Sequence, residues 1–237
     1  MRRDSERSQR QRLLDAAGDT FAEHGFHQAT VRDICRRARA NVAAIKYHFG
    51  GKAQLYHEVL SVAQRCSADD HAVDPIAPPA RRLRQLIGAR LLRVFDDRRP
   101  AWHSRVLSRE MVDPTPALDQ IVSEHIRPRC EQLQAVVRQL LGPHAGEEQV
   151  RLSALSIIGQ CLFYYHARVV LQRLFPNHDH GATQIDRLAD HITTFSLAAL
   201  HARRTQLERQ RTPGIRVTAM LREASSRPSR HATRTQR

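Results

Sequence analysis

The 237-residue chain is poor in lysine, cysteine and aromatic side chains. Lys46 and Lys52 are its only lysines, so nearly all of its 38 basic residues are arginine. Its four cysteines form no Cys-x-x-Cys pair, which excludes the usual ligand spacing of a structural zinc site. They are also too sparse for a disulfide-stapled secreted domain. We therefore expect reduced thiols, no metal and no cofactor, and we interpret 178–180 (His-Asp-His) as a solvated loop.

Long apolar runs and strand patterns are missing as well. No run approaches the roughly 20 apolar residues that span a bilayer, and the segment 1–12 is too polar for a secretion signal. We expect a cytoplasmic protein that does not enter a membrane. Apolar residues recur at spacings of three and four, which predicts an all-α fold. Gly-x-Ser-x-Gly, His-Glu-x-x-His and phosphate-binding glycine loops do not occur, so we predict no enzyme.

Positive charge is abundant, with a formal net charge of +14. This excess favours a polyanionic partner, and nucleic acid is the first candidate. A solvated arginine-rich surface would give the same net charge. The segment 207–237 holds eight arginines against two glutamates. Its composition predicts a disordered tail, which is either simply solvated or has non-specific affinity for DNA.

Short helices separated by a tight break are predicted near the N-terminus. After a first helix at about 8–24, Thr30 opens a second one through a variant capping box. A break at 38–40 leads to Asn41, a good N-cap residue, and to a third helix that ends near Phe49. This order is typical of a DNA-binding helix-turn-helix, whose second helix enters the major groove.

The third helix has one side suited to the protein core and another suited to DNA. Ile45 and Phe49 are four residues apart and should face inward, which leaves Ala43 and Tyr47 on the opposite side. Val42 is ambiguous, because its chemistry suits the core while its position borders the exposed side. Small side chains would let the backbone approach base edges closely.

Polar residues around this helix suit contacts with DNA. Lys46 can donate to guanine, and Tyr47 and His48 can donate to phosphate. Gly50 and Gly51 precede a new helix, whose free N–H groups form an anion site together with Lys52. Each of these side chains could instead be solvated or partly packed.

Residues 10–60 resemble the N-terminal domain of the tetracycline-repressor (TetR) family. The matching text is LLDAA from Leu13, FAEHGF from Phe21, ATVRDI from Ala29, NVAAIKYHFGGK from Asn41 and LY at Leu55. The resemblance implies base or groove contacts for Val42, Ala43, Ala44 and Lys46. It implies phosphate contacts for Thr30, Tyr47, His48 and Lys52, with Arg32 near the groove edge and Asn41 at the start of the reading helix.

Two residues depart from the family pattern. Arg39 stands in the turn where the family usually has glycine, which adopts positive φ cheaply, so we expect a turn that is slightly strained or reshaped. Lys46 stands where tyrosine is common, so we expect an operator preference that differs from the common type.

The remaining chain predicts five helical stretches, at about 81–97, 102–112, 116–141, 146–175 and 183–206. We expect a DNA-binding domain at 1–60, a connecting helix end and proline-rich linker at 61–80, and an effector and dimerisation domain at 81–206. The text REM at Arg109, PTPA at Pro114 and IRP at Ile126 is similar to a TetR subgroup sometimes called CerR-like, which implies an all-α effector domain.

Apolar stripes on the last two long stretches suit a homodimer interface, although they can also fill the chain's own core. The stripes are Leu152, Leu155, Ile158, Leu162 and Val169, then Ile185, Leu188, Ile192, Phe195 and Leu200. The first candidate lining of a ligand pocket is Phe163, Tyr164, Tyr165, His166 and Arg168; the second is Trp102, Glu110 and Met111. Such aromatic residues can equally be core.

Together these features predict a ligand-responsive repressor. It would bind a palindromic operator as a homodimer and be released by a small molecule in its C-terminal domain. The alternative is a non-specific architectural DNA-binding protein, which the basic tail favours.

Overall fold

A computed structural model describes residues 2–65, 73–95, 100–177 and 184–211. Within these ranges every regular element is helical, which confirms the all-α prediction. The helices are α1 (Arg2–Gln28), α2 (Val31–Ala38), α3 (Val42–Phe49), α4 (Lys52–Gln64), α5 (Pro79–Phe95), α6 (Trp102–Val112), α7 (Ala117–Ile121), α8 (Arg127–Leu141), α9 (Glu147–His166), α10 (Arg168–Leu174) and α11 (Ile185–Arg211). A π-helical turn (Val122–Ile126) joins α7 to α8.

Two apolar cores organise the chain. The first is built by α1 to α4 and also takes Trp102 and Val106 from α6 and Ile121 from α7. The second is built by α5, α8, α9 and α11. The first core therefore reaches well beyond residue 60, because α6 buries its apolar side against α1 and α4 rather than against the second core.

The predicted stretch 116–141 is divided by the π-helical turn. Pro128 lies in the first turn of α8, where its missing N–H costs nothing. Placed inside a continuous α-helix, its ring would collide with the carbonyl four residues earlier, at Glu124. The wider turn at Val122–Ile126 accommodates this residue without ending the helical path.

The predicted single helix at 146–175 is wrong, because α9 and α10 are separate. They meet at Ala167, whose ψ of 0° departs from helical geometry, and their axes are bent by 67°. No glycine or proline occurs at this break, so the local sequence does not signal it. The bend follows the point where Tyr165 packs edge-on against Phe95 of α5.

The C-terminal helix is longer than its pattern predicts. It runs to Arg211, and Leu207 is buried. The rest of the predicted tail, 212–237, lies outside the described residues, as do Cys66 and the His178–His180 loop. Cys35, Cys130 and Cys161 are free thiols.

Candidate DNA-binding surface

Helix α3 presents one side to solvent and anchors the other. Ile45 is 2% exposed, and Phe49 packs against the first core, as predicted. Tyr47 is 75% exposed, and Ala43 is exposed beside it. Val42, which the sequence left undecided, is 49% exposed and so lies on the solvent side. The helix therefore has the free face that a major-groove reader needs.

Side-chain caps fix where the two short helices begin. Asn41 Oδ1 accepts a hydrogen bond from the backbone N–H of Ala43 at 3.0 Å, which leaves the amide NH₂ available as a donor. The Thr30 hydroxyl accepts from the N–H of Asp33 at 3.1 Å and donates to that residue's carboxylate. The Thr30 hydroxyl is thus already engaged, so a phosphate contact from it would compete with the cap.

The turn between α2 and α3 passes through the left-handed region. Arg39 has φ 51° and ψ 48°, and it is the only non-glycine residue with positive φ in the described part of the chain. Its N–H donates to the Arg36 carbonyl, and that of Ala40 donates to the Cys35 carbonyl. The arginine therefore adopts a conformation that glycine takes more cheaply, at a backbone cost of order 1–3 kcal/mol.

Two side chains predicted to contact phosphate near the end of α3 interact with residues of α1. Nε2 of His48 lies 3.2 Å from Oε1 of Gln9 in α1. Nζ of Lys52 lies 4.7 Å from the centre of the Phe26 ring and donates to the His27 carbonyl at 3.4 Å. Burial lowers the pKa of Lys52. Sequence reasoning missed Gln9, because nothing in the local pattern shows that α1 reaches the end of α3.

Free and paired cations are distributed unevenly around this surface. Arg36 pairs with Asp33 at 2.7 Å, and Arg37 makes two hydrogen bonds to Glu23. Three exposed cations, by contrast, take part in no ion pair among the described residues: Arg32, Arg39 and Lys46. They lie on α2, in the turn and on α3. Their charge is available to a polyanion, and Arg39 joins the set that the sequence predicted.

Helix α6 is attached to the DNA-binding region at three places. A Cβ on Gly18 of α1 would lie 2.3 Å from the Trp102 ring, so the absence of a side chain lets the two helices meet. A Cβ on Gly25 would likewise lie 2.7 Å from Nε of Arg109, so the glycine leaves room for this side chain. The Arg109 guanidinium donates to the Glu23 carbonyl at 3.2 Å.

The third attachment is polar and buried. The Tyr56 hydroxyl of α4 donates to Oε2 of Glu110, and Oε1 of Glu110 accepts from the N–H and the hydroxyl of Thr115. Burial and the neighbouring carboxylate raise the pKa of Tyr56 well above its usual range. Any movement of α6 would therefore reach the helices that carry α3.

The structure separates the two predicted linings of a ligand pocket. Trp102 belongs to the first core, and Glu110 is occupied by its hydrogen bonds with Tyr56 and Thr115. Met111 is 56% exposed. Tyr164 and Tyr165 pack against the second core. In the same segment Phe163 and His166 are exposed and Arg168 is half-buried, so Tyr164 and Tyr165 point toward the interior while Phe163 lies on the outer side.

In the part of the chain that the structure describes, no group of three histidine, cysteine, aspartate or glutamate side chains could hold a metal ion. No single helix there is long and apolar enough to cross a membrane, and α9 with α10 meets that test only as a bent pair.

Comparison with known families decides the class of protein. Residues 13–59 match the model of bacterial regulatory proteins of the tetR family, and residues 79–200 match the C-terminal domain of the HTH-type transcriptional dual regulator CecR. The chain belongs to the TetR family of transcriptional regulators, in the CecR-like subgroup. The subgroup expected as CerR-like is the one that this model names CecR.

Relatives and solved structures agree with this family. CecR of Shigella flexneri is 29% identical over 171 residues, which cover 65% of this chain and 74% of CecR. FadR of Bacillus subtilis in complex with stearoyl-CoA superposes with a TM-score of 0.59 at 17% identity, covering 79% of this chain and 97% of FadR. AibR in complex with isovaleryl coenzyme A and operator DNA gives 0.57 at 17% identity, with the same coverage. This TetR-family regulator therefore shares their fold.

Proposed function

We propose that this TetR-family regulator is a repressor that binds a palindromic operator as a homodimer and leaves it when a small molecule enters the C-terminal domain. The observation that carries the proposal is the exposed side of α3, with Tyr47 solvated and Ile45 anchored beneath it. A helix held this way can lie along base edges in the major groove. Such a protein acts at the chromosome, which places it in the cytoplasm.

An exposed apolar surface on the last long helices supports the homodimer. Leu152, Leu155 and Phe163 of α9 are each about half exposed, and Phe195 of α11 is 62% exposed. Adjacent large apolar side chains are seldom left solvated in a monomer. Ile185, Ile192 and Leu200, which the sequence placed in the same stripes, are instead buried in the second core. The surface that we propose for the dimer is therefore limited to the exposed members of the two stripes.

The two structural neighbours support ligand control. AibR was solved with a coenzyme A thioester and operator DNA, and FadR with a coenzyme A thioester. In this chain the ties between α6 and the first core supply a physical route from the effector domain to α3. A ligand that favours one placement of α6 would change the separation of the two reading helices through its differential affinity for the two states.

A gel shift and footprint on DNA upstream of the protein's own gene test the proposal. We expect a discrete protected palindrome, and Lys46→Ala should weaken binding by roughly ten- to a hundredfold. Arg187→Ala removes the same charge from an exposed site on α11 and should leave affinity nearly unchanged. Uniform coating of DNA by the wild type would instead favour the architectural alternative. Absence of any retarded band would contradict both.

The oligomeric state in solution tests the proposed homodimer separately from DNA binding. Leu155→Glu puts a charge in the middle of the exposed apolar surface and should yield monomers in sedimentation equilibrium. Leu174→Glu changes an exposed apolar residue of α10, outside the α9–α11 surface, and is the matched control. Wild-type protein that sediments as a monomer at micromolar concentration would contradict the proposal.

A further inference from the structure

A polar contact joins the end of α3 to the N-terminal part of α1. Nε2 of His48 lies 3.2 Å from the side-chain carbonyl oxygen of Gln9, and both side chains are half-buried. Beside them, Arg10 lies over the Phe49 ring, with its guanidinium carbon 5.0 Å from the ring centre. Arg10 also pairs with Glu58 at 3.1 Å, so α1 is held against both α3 and α4. His48 therefore has a partner that is in place before any DNA binds.

The carbonyl oxygen of Gln9 decides which nitrogen of His48 carries the proton. A neutral imidazole has one N–H, and the nitrogen that faces an acceptor takes it. In the uncharged ring Nε2 is therefore protonated, and Nδ1 keeps a lone pair. Nδ1 has no hydrogen-bond partner among the groups that the structure describes, so it is the nitrogen that remains for DNA.

A DNA phosphate oxygen can only accept hydrogen bonds as well. The neutral ring that Gln9 selects cannot donate to it from Nδ1, because both atoms would present lone pairs. With a second proton on Nδ1, the imidazolium of His48 donates to Gln9 and to a phosphate at the same time. Such a contact also has the strength of a charge-assisted hydrogen bond. The phosphate contact predicted for His48 therefore requires that the ring takes up a proton.

The charged groups on the helices around His48 leave that proton without an anion until DNA binds. Helix α3 has no carboxylate, and those of α2 and α4, Asp33 and Glu58, are both paired with arginines. From α1, the charged side chain that contacts α3 is a cation, Arg10. The Tyr47 ring meets His48 edge-on, with ring centres 4.9 Å apart. The cations on α2, α3 and the start of α4 are Arg32, Arg36, Arg37, Lys46 and Lys52.

We propose that Gln9 is a positioning residue of the DNA-binding surface, which holds Nε2 of His48 and so makes the phosphate contact depend on a proton at Nδ1. This rests on the proposed function, since it specifies how that surface binds the backbone of the operator. Each subunit takes up a proton at His48 as the complex forms, so operator affinity rises as the pH falls. Gln9 acts through His48 and needs no contact of its own with DNA.

Fluorescence anisotropy with the palindrome that footprinting defines tests this at constant salt, from about pH 8.5 to about pH 6.5. The affinity of the wild type should rise about tenfold over this range. Gln9→Met keeps the length of the side chain and removes the acceptor, which lets the neutral ring carry its proton on Nδ1. Its affinity should change by no more than about threefold over the same range. Gln11→Met makes the same change on an exposed residue of α1 and should follow the wild type.

A double-mutant cycle separates positioning from a general effect on the fold. His48→Gln removes the imidazole and should also flatten the pH profile. Adding Gln9→Met to His48→Gln should weaken binding no further, because the two side chains act as one unit. A residue that only supported α1 would add its own loss at every pH. Additive losses would overturn the inference, as would a folded Gln9→Met protein with the pH profile of the wild type.

NMR of the free wild type gives a second measurement that needs neither DNA nor a Gln9 variant. Long-range ¹H–¹⁵N spectra of histidine-labelled protein distinguish the two tautomers, and the signals that His48→Gln lacks identify His48. At about pH 8.5 we expect the form protonated at Nε2, and the form protonated at Nδ1 would overturn the inference. Loss of specific operator binding would contradict the repressor while leaving this tautomer result intact. Conversely, a protected palindrome together with the Nδ1 form would keep the regulator and remove Gln9 from its role.

Discussion

The hydroxyl of Tyr56 donates a 2.5 Å hydrogen bond to Oε2 of Glu110, across the junction of α4 and α6. Glu110 is 1% exposed, and its other oxygen is occupied by two donors from Thr115. Both carboxylate oxygens of Glu110 therefore accept hydrogen bonds inside the protein. The sequence placed Glu110 in a ligand wall, but these contacts make it a structural link between α6 and α4, the helix that follows α3.

Removing one of these donors should destabilise the fold. Tyr56→Phe leaves Oε2 of Glu110 buried without its partner, and we expect the free energy of unfolding to fall by about 1–3 kcal/mol. Urea unfolding measures this. Tyr47→Phe makes the same chemical change on an exposed ring and should have almost no effect on stability. Equal effects of the two substitutions would show that the link does not contribute.

Gly18→Ala should separate α1 from α6. The new Cβ would lie 2.3 Å from the Trp102 ring, so one helix must move, and we expect a loss of about 1–3 kcal/mol in urea unfolding. Gly88→Ala is the matched control inside α5, where the nearest heavy atom, Cβ of Ala189, lies 4.0 Å from the new Cβ. That change should be neutral or stabilising by up to about 1 kcal/mol. A neutral Gly18→Ala would contradict the close docking of Trp102.

Arg39→Gly should stabilise the protein and weaken its DNA binding. Glycine adopts the left-handed conformation at this turn without a steric penalty, which should raise the free energy of unfolding by about 1 kcal/mol. The same change removes an exposed cation beside α3, so the salt dependence of operator affinity should become shallower by about one unit. Arg39→Ala separates the effects, because it removes the charge and keeps the strain. A destabilised glycine variant would argue against strain at this turn.

His125 should make stability depend on pH. Burial and then Arg129 lower the pKa of this imidazole below its usual 6.5, and Glu124, Arg65 and His57 also face it. The folded protein therefore resists a proton that the unfolded chain accepts, so its stability contribution is present above pH 6.5 and is lost as the pH falls toward the lower, folded value.

The measurement is a set of urea midpoints at about pH 7.5, 6 and 5. His125→Gln should lose less stability across this range than the wild type does. His201→Gln changes an exposed histidine of α11 and should follow the wild type. Identical pH profiles for His125→Gln and wild type would contradict the prediction.

Local patterns predicted the DNA-binding region well, because its determinants are short in range. The spacing of Ile45 and Phe49, the caps at Thr30 and Asn41 and the turn at Arg39 all lie within a few residues of what they control. The family match then confirmed what the pattern indicated.

Long-range packing explains what the sequence could not show. The docking of Trp102 on Gly18 joins residues 84 positions apart, and no periodicity in α6 indicates which core it will enter. The break at Ala167 has no glycine or proline to mark it.

Because lysine is scarce, reagents that react with amines can mark the surface around α3. Among side chains, only Lys46 and Lys52 carry a primary amine, and they lie on α3 and at the start of α4. Lys46 is solvated, whereas Lys52 is folded over the Phe26 ring. Acetylation or any amine-directed label on a side chain would therefore fall on this face first, at Lys46, and occupation of the operator should shield it.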